Sequence, residues 1–428
     1  MSDKYDVVLR AVSPVREDGP GAPVDLVLRN ELIVKQVPAG KAKGNRMLDA
    51  EGLWAMPAMI DPHVHFRYPG FSYKEDIESG LAAAGAGGYC CVAIMPNTEP
   101  PIDSPDVVEE IFRKVEALPL PHARLLVVAA ASVGREGKEP VDFPALQQAG
   151  VCGFSDDGAW IESEHVLTEA LVASAGLGLP VMEHCEVPSI VRNGVVNKGK
   201  VSKFLGLSGR PRAGETEALK RDLRILEKTG GRLHVQHLSA AESVDMVREA
   251  KAKGLEVTAE VTLHHLLLDE DVLLTKDPDY KVNPPLRTKA DRLALMAGLR
   301  DGTIDMVATD HAPHAAFEKA AGLELAPAGA IGLETALALM LLVKDELGFK
   351  RVLEATSSEP AKLLGLPAKR TVIPGSPADL VLIDPDAEWE VRPDLFRSKS
   401  RNSPFKGWKL KGRVVYTLVS GKIVFDGR

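Results

Sequence analysis

Short apolar runs that end in polar residues recur eight times along the chain, at 54–66, 89–97, 123–132, 151–157, 179–183, 233–237, 255–265 and 304–310. Their cores are Val, Ile, Ala and Leu with little alternation, the pattern of strands buried on both faces. Between them lie segments such as 215–228, 240–253 and 289–300. These carry apolar residues at three- and four-residue spacing, with Gly230, Gly254 or Gly302 at the close. Eight strand–helix units predict an α/β fold, a (β/α)8 TIM barrel spanning 54–369. Residues 1–53 and 370–428 read instead as short strands rich in turn residues. They are expected to pair into one small β-sandwich domain formed by both termini.

Composition narrows the class. Hydrophobic residues make up 45% of the 428, and the net charge is −8. That describes a soluble globular chain with nothing pointing to nucleic acid. No run approaches the ~18 uninterrupted apolar residues of a membrane span. The start, Met1-Ser2-Asp3-Lys4-Tyr5-Asp6, lacks the apolar core of a signal peptide. Cys90, Cys91, Cys152 and Cys185 have no framework spacing. They are expected to be reduced and buried in a cytoplasmic protein.

In a (β/α)8 barrel, functional groups sit at the C-terminal strand ends, and the polar residues of this chain concentrate there. His63 and His65 close the first run at i, i+2, a spacing that points both imidazoles the same way from an extended strand. The later runs end in Asn97, in Asp156-Asp157-Gly158, in Glu183-His184-Cys185, in His234-Val235-Gln236-His237 and in Asp310-His311-Ala312-Pro313-His314. Four histidines and two or more aspartates thus meet at one mouth. Nitrogen and carboxylate ligands in that ratio suit Zn2+, with Mn2+ or Co2+ as substitutes. Six candidate ligands exceed a closed tetrahedral site and suggest two metals sharing a bridging carboxylate and hydroxide. His122, His165, His234, His264 and His265 read as structural or surface residues. His311 and Glu183 read as supports behind the ligands.

These segments resemble the amidohydrolase superfamily, and within it the bacterial-type dihydroorotases. The likeness lies in Asp61-Pro62-His63-Val64-His65-Phe66-Arg67, Met95-Pro96-Asn97-Thr98, Asp156-Asp157-Gly158, Glu183-His184-Cys185-Glu186, Asn283-Pro284-Pro285-Leu286-Arg287 and Ala308-Thr309-Asp310-His311-Ala312-Pro313-His314. The family pattern implies that His63, His65 and Asp310 bind one zinc and that His184 and His237 bind the second. Asp157 rather than Asp156 would bridge the two, together with hydroxide. Asp310 would also serve as general acid and base. His65, Arg67, Asn97, Asn283 and His314 would hold the substrate, with backbone contacts from Ala328 and Gly329. Tyr68 and Leu263 depart from the usual family residues, but neither stands at a ligand position.

The implied activity is the reversible cyclisation of N-carbamoyl-L-aspartate to L-dihydroorotate in de novo pyrimidine (UMP) biosynthesis, with metal-bound hydroxide as nucleophile. Hydantoinase-like relatives bridge their metals with a carbamylated lysine at the end of strand 4. Here no lysine lies between Lys138 and Lys198, which opposes a hydantoinase or allantoinase reading. A non-catalytic scaffold for aspartate transcarbamoylase is a further alternative, opposed by the four histidines. The family resemblance also allows a complex with that enzyme, and a homodimer. The stretch 315–330, rich in Ala and Gly, reads as a mobile loop over the site.

Overall fold

The computed structural model describes residues 7–428. The polar start read as lacking a signal-peptide core lies outside them. Eight parallel strands run in sequence order: β1 (Met59–Val64), β2 (Tyr89–Ile94), β3 (Arg124–Ala129), β4 (Gly153–Phe154), β5 (Val181–Glu183), β6 (Leu233–Val235), β7 (Val257–Thr262) and β8 (Met306–Ala308). A parallel bridge between Val64 and His311 closes the ring, with the His65 N–H donating to the His311 carbonyl at 2.9 Å. The fold is therefore the TIM barrel that the eight apolar runs predict.

Each strand is buried on both faces. Val92, Leu125, Val127, Val235 and Val261 share one core with the surrounding helices. Ile60, Cys91, Ala93, Val128, Met182 and Met306 belong to a second, separate cluster. The helices follow their local signals. Lys289–Asp301 starts at Thr288, whose side chain accepts from the Asp291 N–H, and stops at Gly302 in the left-handed region (φ 83°). All four cysteines are free and buried. No helix among the described residues is long and apolar enough to cross a membrane.

The run at 54–66 divides in two. Trp54–Pro57 pairs antiparallel with Leu380–Glu390 and parallel with Val7–Arg16, so it belongs to the terminal sheet, and β1 begins at Met59. Its apolar sequence is continuous because both halves are buried, which hides the break. The terminal sheet has nine strands drawn from both chain ends. Its two wings join through Val7–Arg16 and share a core that includes Leu9, Leu26, Ile33, Ala55, Leu380, Leu382 and Leu418.

Candidate metal and active centre

The site begins at the end of β1. Phe66, 1% exposed, anchors that end against the helix Ile77–Gly87. A Cβ on Gly80 would lie 2.6 Å from the Phe66 ring, so only glycine admits the ring at this depth. Burying such a side chain contributes about 1.5–3 kcal/mol. Asp61, fully buried, fixes the strand from below. It accepts from the Thr309 hydroxyl at 2.5 Å and from the Thr309 and His63 amides at 3.2 Å, tying β1 to β8. Burial raises its pKa to about 7 despite those bonds.

His63 and His65 then aim at one point. Their Nε2 atoms lie 3.4 and 3.5 Å from the Asp157 carboxylate, and 3.7 and 2.9 Å from Asp310 Oδ1. On the far side, His184 Nδ1 and His237 Nε2 lie 2.9 Å apart and 3.6 and 3.7 Å from Asp157 Oδ1. Two buried triads result, His63/His65/Asp157 and Asp157/His184/His237, sharing one carboxylate. Asp156 faces elsewhere. Its carboxylate accepts from the Ala131 and Ser132 amides and the Ser132 hydroxyl. Three of the candidate site residues occupy positive-φ backbone at their strand ends: Arg67 (27°), His237 (28°) and Asp310 (46°). Such conformations cost energy and cluster at functional sites.

The donors fit a divalent cation. His63 Nε2 and Asp157 Oδ1 are buried with no hydrogen-bond partner, which is costly unless something else satisfies them. Imidazole nitrogens and carboxylate oxygens converging in this number are the ligand chemistry of zinc and similar ions. Burial opposes ionisation of Asp157, yet the surrounding histidines hold its pKa well below the usual carboxylate range. Asp310 behaves alike: burial pushes up, His65 and His63 pull further down, and it settles at about 2.

The expected substrate residues line the same mouth with distinct roles. Arg67 is half-buried, donates through Nε to the Pro313 carbonyl at 3.3 Å, and has no carboxylate partner among the described residues. Asn97 Oδ1 lies 2.8 Å from His65 Nδ1, so this amide orients the His65 ring. Asn283 Nδ2 is 3.3 Å from His184 Nε2, and its Oδ1 accepts from Arg210. His314 Nε2 donates to the Ala328 carbonyl at 2.9 Å, since a carbonyl can only accept. Burial first, then Arg67, Lys319 and Lys74, lower its pKa to about 2, so the ring is neutral. Gly329 needs its positive φ (142°), and a Cβ there would lie 2.9 Å from His314 Nε2. Its N–H and carbonyl are both bonded internally, to Lys281 and to Lys319 and Asn402. The neighbouring Ala328 N–H has no hydrogen-bond partner among the described residues.

Sequence reasoning missed Glu260 on β7. Its Oε1 lies 2.6 Å from His63 Nδ1 and accepts from the His237 N–H at 3.2 Å, while Oε2 is 3.1 Å from His234 Nε2. A lone carboxylate inside an apolar barrel strand was the available signal. His234 is accordingly structural, and the His311 ring faces Glu75 at 3.4 Å rather than the triads. Glu183 lies behind His184, accepting from the Ile161 N–H at 3.0 Å.

Known proteins share this architecture. L-hydantoinase (dihydropyrimidinase) from Arthrobacter aurescens superimposes with a TM-score of 0.86 at 27% identity, covering 99% of this chain and 96% of its own. Barrel, terminal sheet and histidine–carboxylate mouth together make the protein an amidohydrolase-type cyclic amide hydrolase. Closer relatives narrow this. A dihydroorotase from Desulforapulum autotrophicum is 42% identical over 94% of this chain and 95% of its own length, and one from Aquifex aeolicus is 44% identical over 89% of each. The family profile described as dihydro-orotase-like matches residues 52–243. The chain belongs to the dihydroorotase family.

Proposed function

We propose that the protein is a dihydroorotase, interconverting N-carbamoyl-L-aspartate and L-dihydroorotate in the cytoplasm. The observation that carries this reading is Arg67, half-buried at the lip of the double triad, which feels the charges of Asp310, Asp157 and Glu318 but has no carboxylate of the described residues within ion-pair distance. A cyclic amide bearing a second, non-reacting carboxylate supplies the missing partner through two parallel charge-assisted bonds. The Ala328 N–H and Asn283 add donors beside it.

His63, His65 and Asp157, with Asp310 beside them, would hold one divalent ion, and Asp157, His184 and His237 a second, with zinc favoured by the donor types. Bound there, such ions make hydroxide available near neutral pH and polarise the amide carbonyl. Asp310 supplies the proton chemistry. Asp310 is anionic at neutral pH and lies beside His65, where it can accept a proton from the attacking water. It returns that proton to the ring nitrogen as the carbon–nitrogen bond breaks. In the cyclising direction it removes a proton from the ureido nitrogen as that nitrogen attacks the side-chain carboxyl carbon, and passes the proton to the carboxyl oxygen that leaves as water. Asn97 keeps the His65 ring aligned throughout.

The test is turnover of L-dihydroorotate, hydantoin and allantoin by the wild type, with metal analysis, alongside Asp310→Ala. Dihydroorotate turnover lost in the variant supports the reading. Turnover of hydantoin alone, or a fully active variant, would overturn it.

A further inference from the structure

Lys319 is a buried cation that the reaction chemistry above does not use. It lies at the end of the short helix Ala316–Lys319, only 5% exposed. Its Nζ donates to the carbonyls of Pro327 and Gly329 at 3.0 Å each, and to that of Lys281 at 3.5 Å. All three acceptors are neutral. The ammonium thus joins two segments that meet at the mouth, 281–283 carrying Asn283 and 327–329 carrying the free Ala328 N–H. Asn402 reinforces the same point, donating to the Gly329 and Ala312 carbonyls at 3.0 and 3.1 Å. The Gly329 N–H closes the knot on the Lys281 carbonyl at 2.8 Å.

An ammonium buried among neutral carbonyls destabilises a fold relative to an apolar side chain. Burial draws the Lys319 pKa down to about 8, with Lys281 adding to the fall and Asp279, Asp277 and Glu318 opposing it. The loop 315–330, read from sequence as mobile, is held from inside by this group.

We propose that Lys319 is a positioning residue that fixes the Ala328 N–H and Asn283 where the substrate's non-reacting carboxylate binds. This rests on the dihydroorotase reading. The residue touches no reacting atom and acts only through backbone carbonyls.

The test uses the full-length, metal-loaded enzyme and Lys319→Met. KM for N-carbamoyl-L-aspartate should rise about tenfold with kcat within about twofold, the signature of lost substrate binding rather than lost chemistry. Amide hydrogen exchange over 326–331 should accelerate while that over 59–64 stays unchanged, and the melting temperature at pH 7 should not fall. Lys319→Gln, which keeps an uncharged amide with two N–H donors, should give an intermediate KM and serves if the methionine variant does not fold. Unchanged exchange over 326–331 would overturn the proposal, as would kcat and melting temperature falling together. Exchange is read without substrate, so a wild type inactive on dihydroorotate would count against the function while leaving the hold on the loop decided.

Discussion

His63 Nδ1 sits 2.6 Å from Glu260 Oε1, a fully buried contact that joins the first histidine of the mouth to a strand almost 200 residues later. The carboxylate fixes the tautomer and direction of the ring, and it also receives the His237 amide. Such supports cost 10–100-fold in metal affinity or activity when lost, in order of magnitude. Glu260→Gln is expected to reduce bound metal and turnover by about that factor. Metal analysis after dialysis, paired with steady-state kinetics, checks it. Full metal retention and full activity would refute the role.

Asp310→Asn should remove turnover almost entirely while leaving KM for dihydroorotate within a few-fold, because the amide keeps the shape but not the basicity. Steady-state kinetics decide. A variant that loses affinity but keeps kcat would reassign Asp310 to binding.

Arg67→Met should do the reverse. Hydrogen bonds to charged groups contribute about 1.5–3 kcal/mol, so KM should rise roughly 10- to 150-fold with a smaller change in kcat. A lysine in its place restores charge but not the planar fork. An unaltered KM in the methionine variant contradicts the carboxylate contact.

Gly80→Val tests the packing behind the histidines. The new side chain would overlap the Phe66 ring. Overpacking of this kind costs about 1–3 kcal/mol, and displacing Phe66 should also lower metal content through His65. Denaturant unfolding and metal analysis of one preparation check both. Lower stability with undiminished metal would uncouple ring packing from the site.

Lys319 makes a pH prediction with a definite sign. An unfolded lysine titrates near ~10.4, whereas Lys319 in the fold titrates at about 8. Between those values the unfolded chain holds the proton and the native chain does not, so stability rises with pH. The stability of wild type relative to Lys319→Met should therefore be lowest below pH 8 and climb towards pH ~10.4. Unfolding of both proteins at pH 7 and pH 10 measures this; a constant difference contradicts it.

The barrel was legible because its strands announce themselves twice, as apolar runs and as polar ends. His63, His65, Asp157, His184, His237 and Asp310 stood out because each closes such a run. Glu260 and Lys319 did not, because their meaning is tertiary. A carboxylate in β7 acquires its role only through neighbours on β1 and β6, and a lysine in a surface-like loop reads as solvated until three carbonyls enclose it. The division of 54–66 was hidden for a related reason: burial under the terminal sheet and burial in the barrel select the same apolar residues.

Asn402, whose side chain ties Ala312 and Gly329, and Ser398, bonded to Glu75, both come from the C-terminal part of the chain. During synthesis the eight strands can all leave the ribosome while these residues are still unmade. The mouth of the barrel is thus finished from residues made long after its strands, and a nascent chain halted before residue 402 carries every proposed ligand and Lys319 but lacks the Asn402 bonds to Ala312 and Gly329.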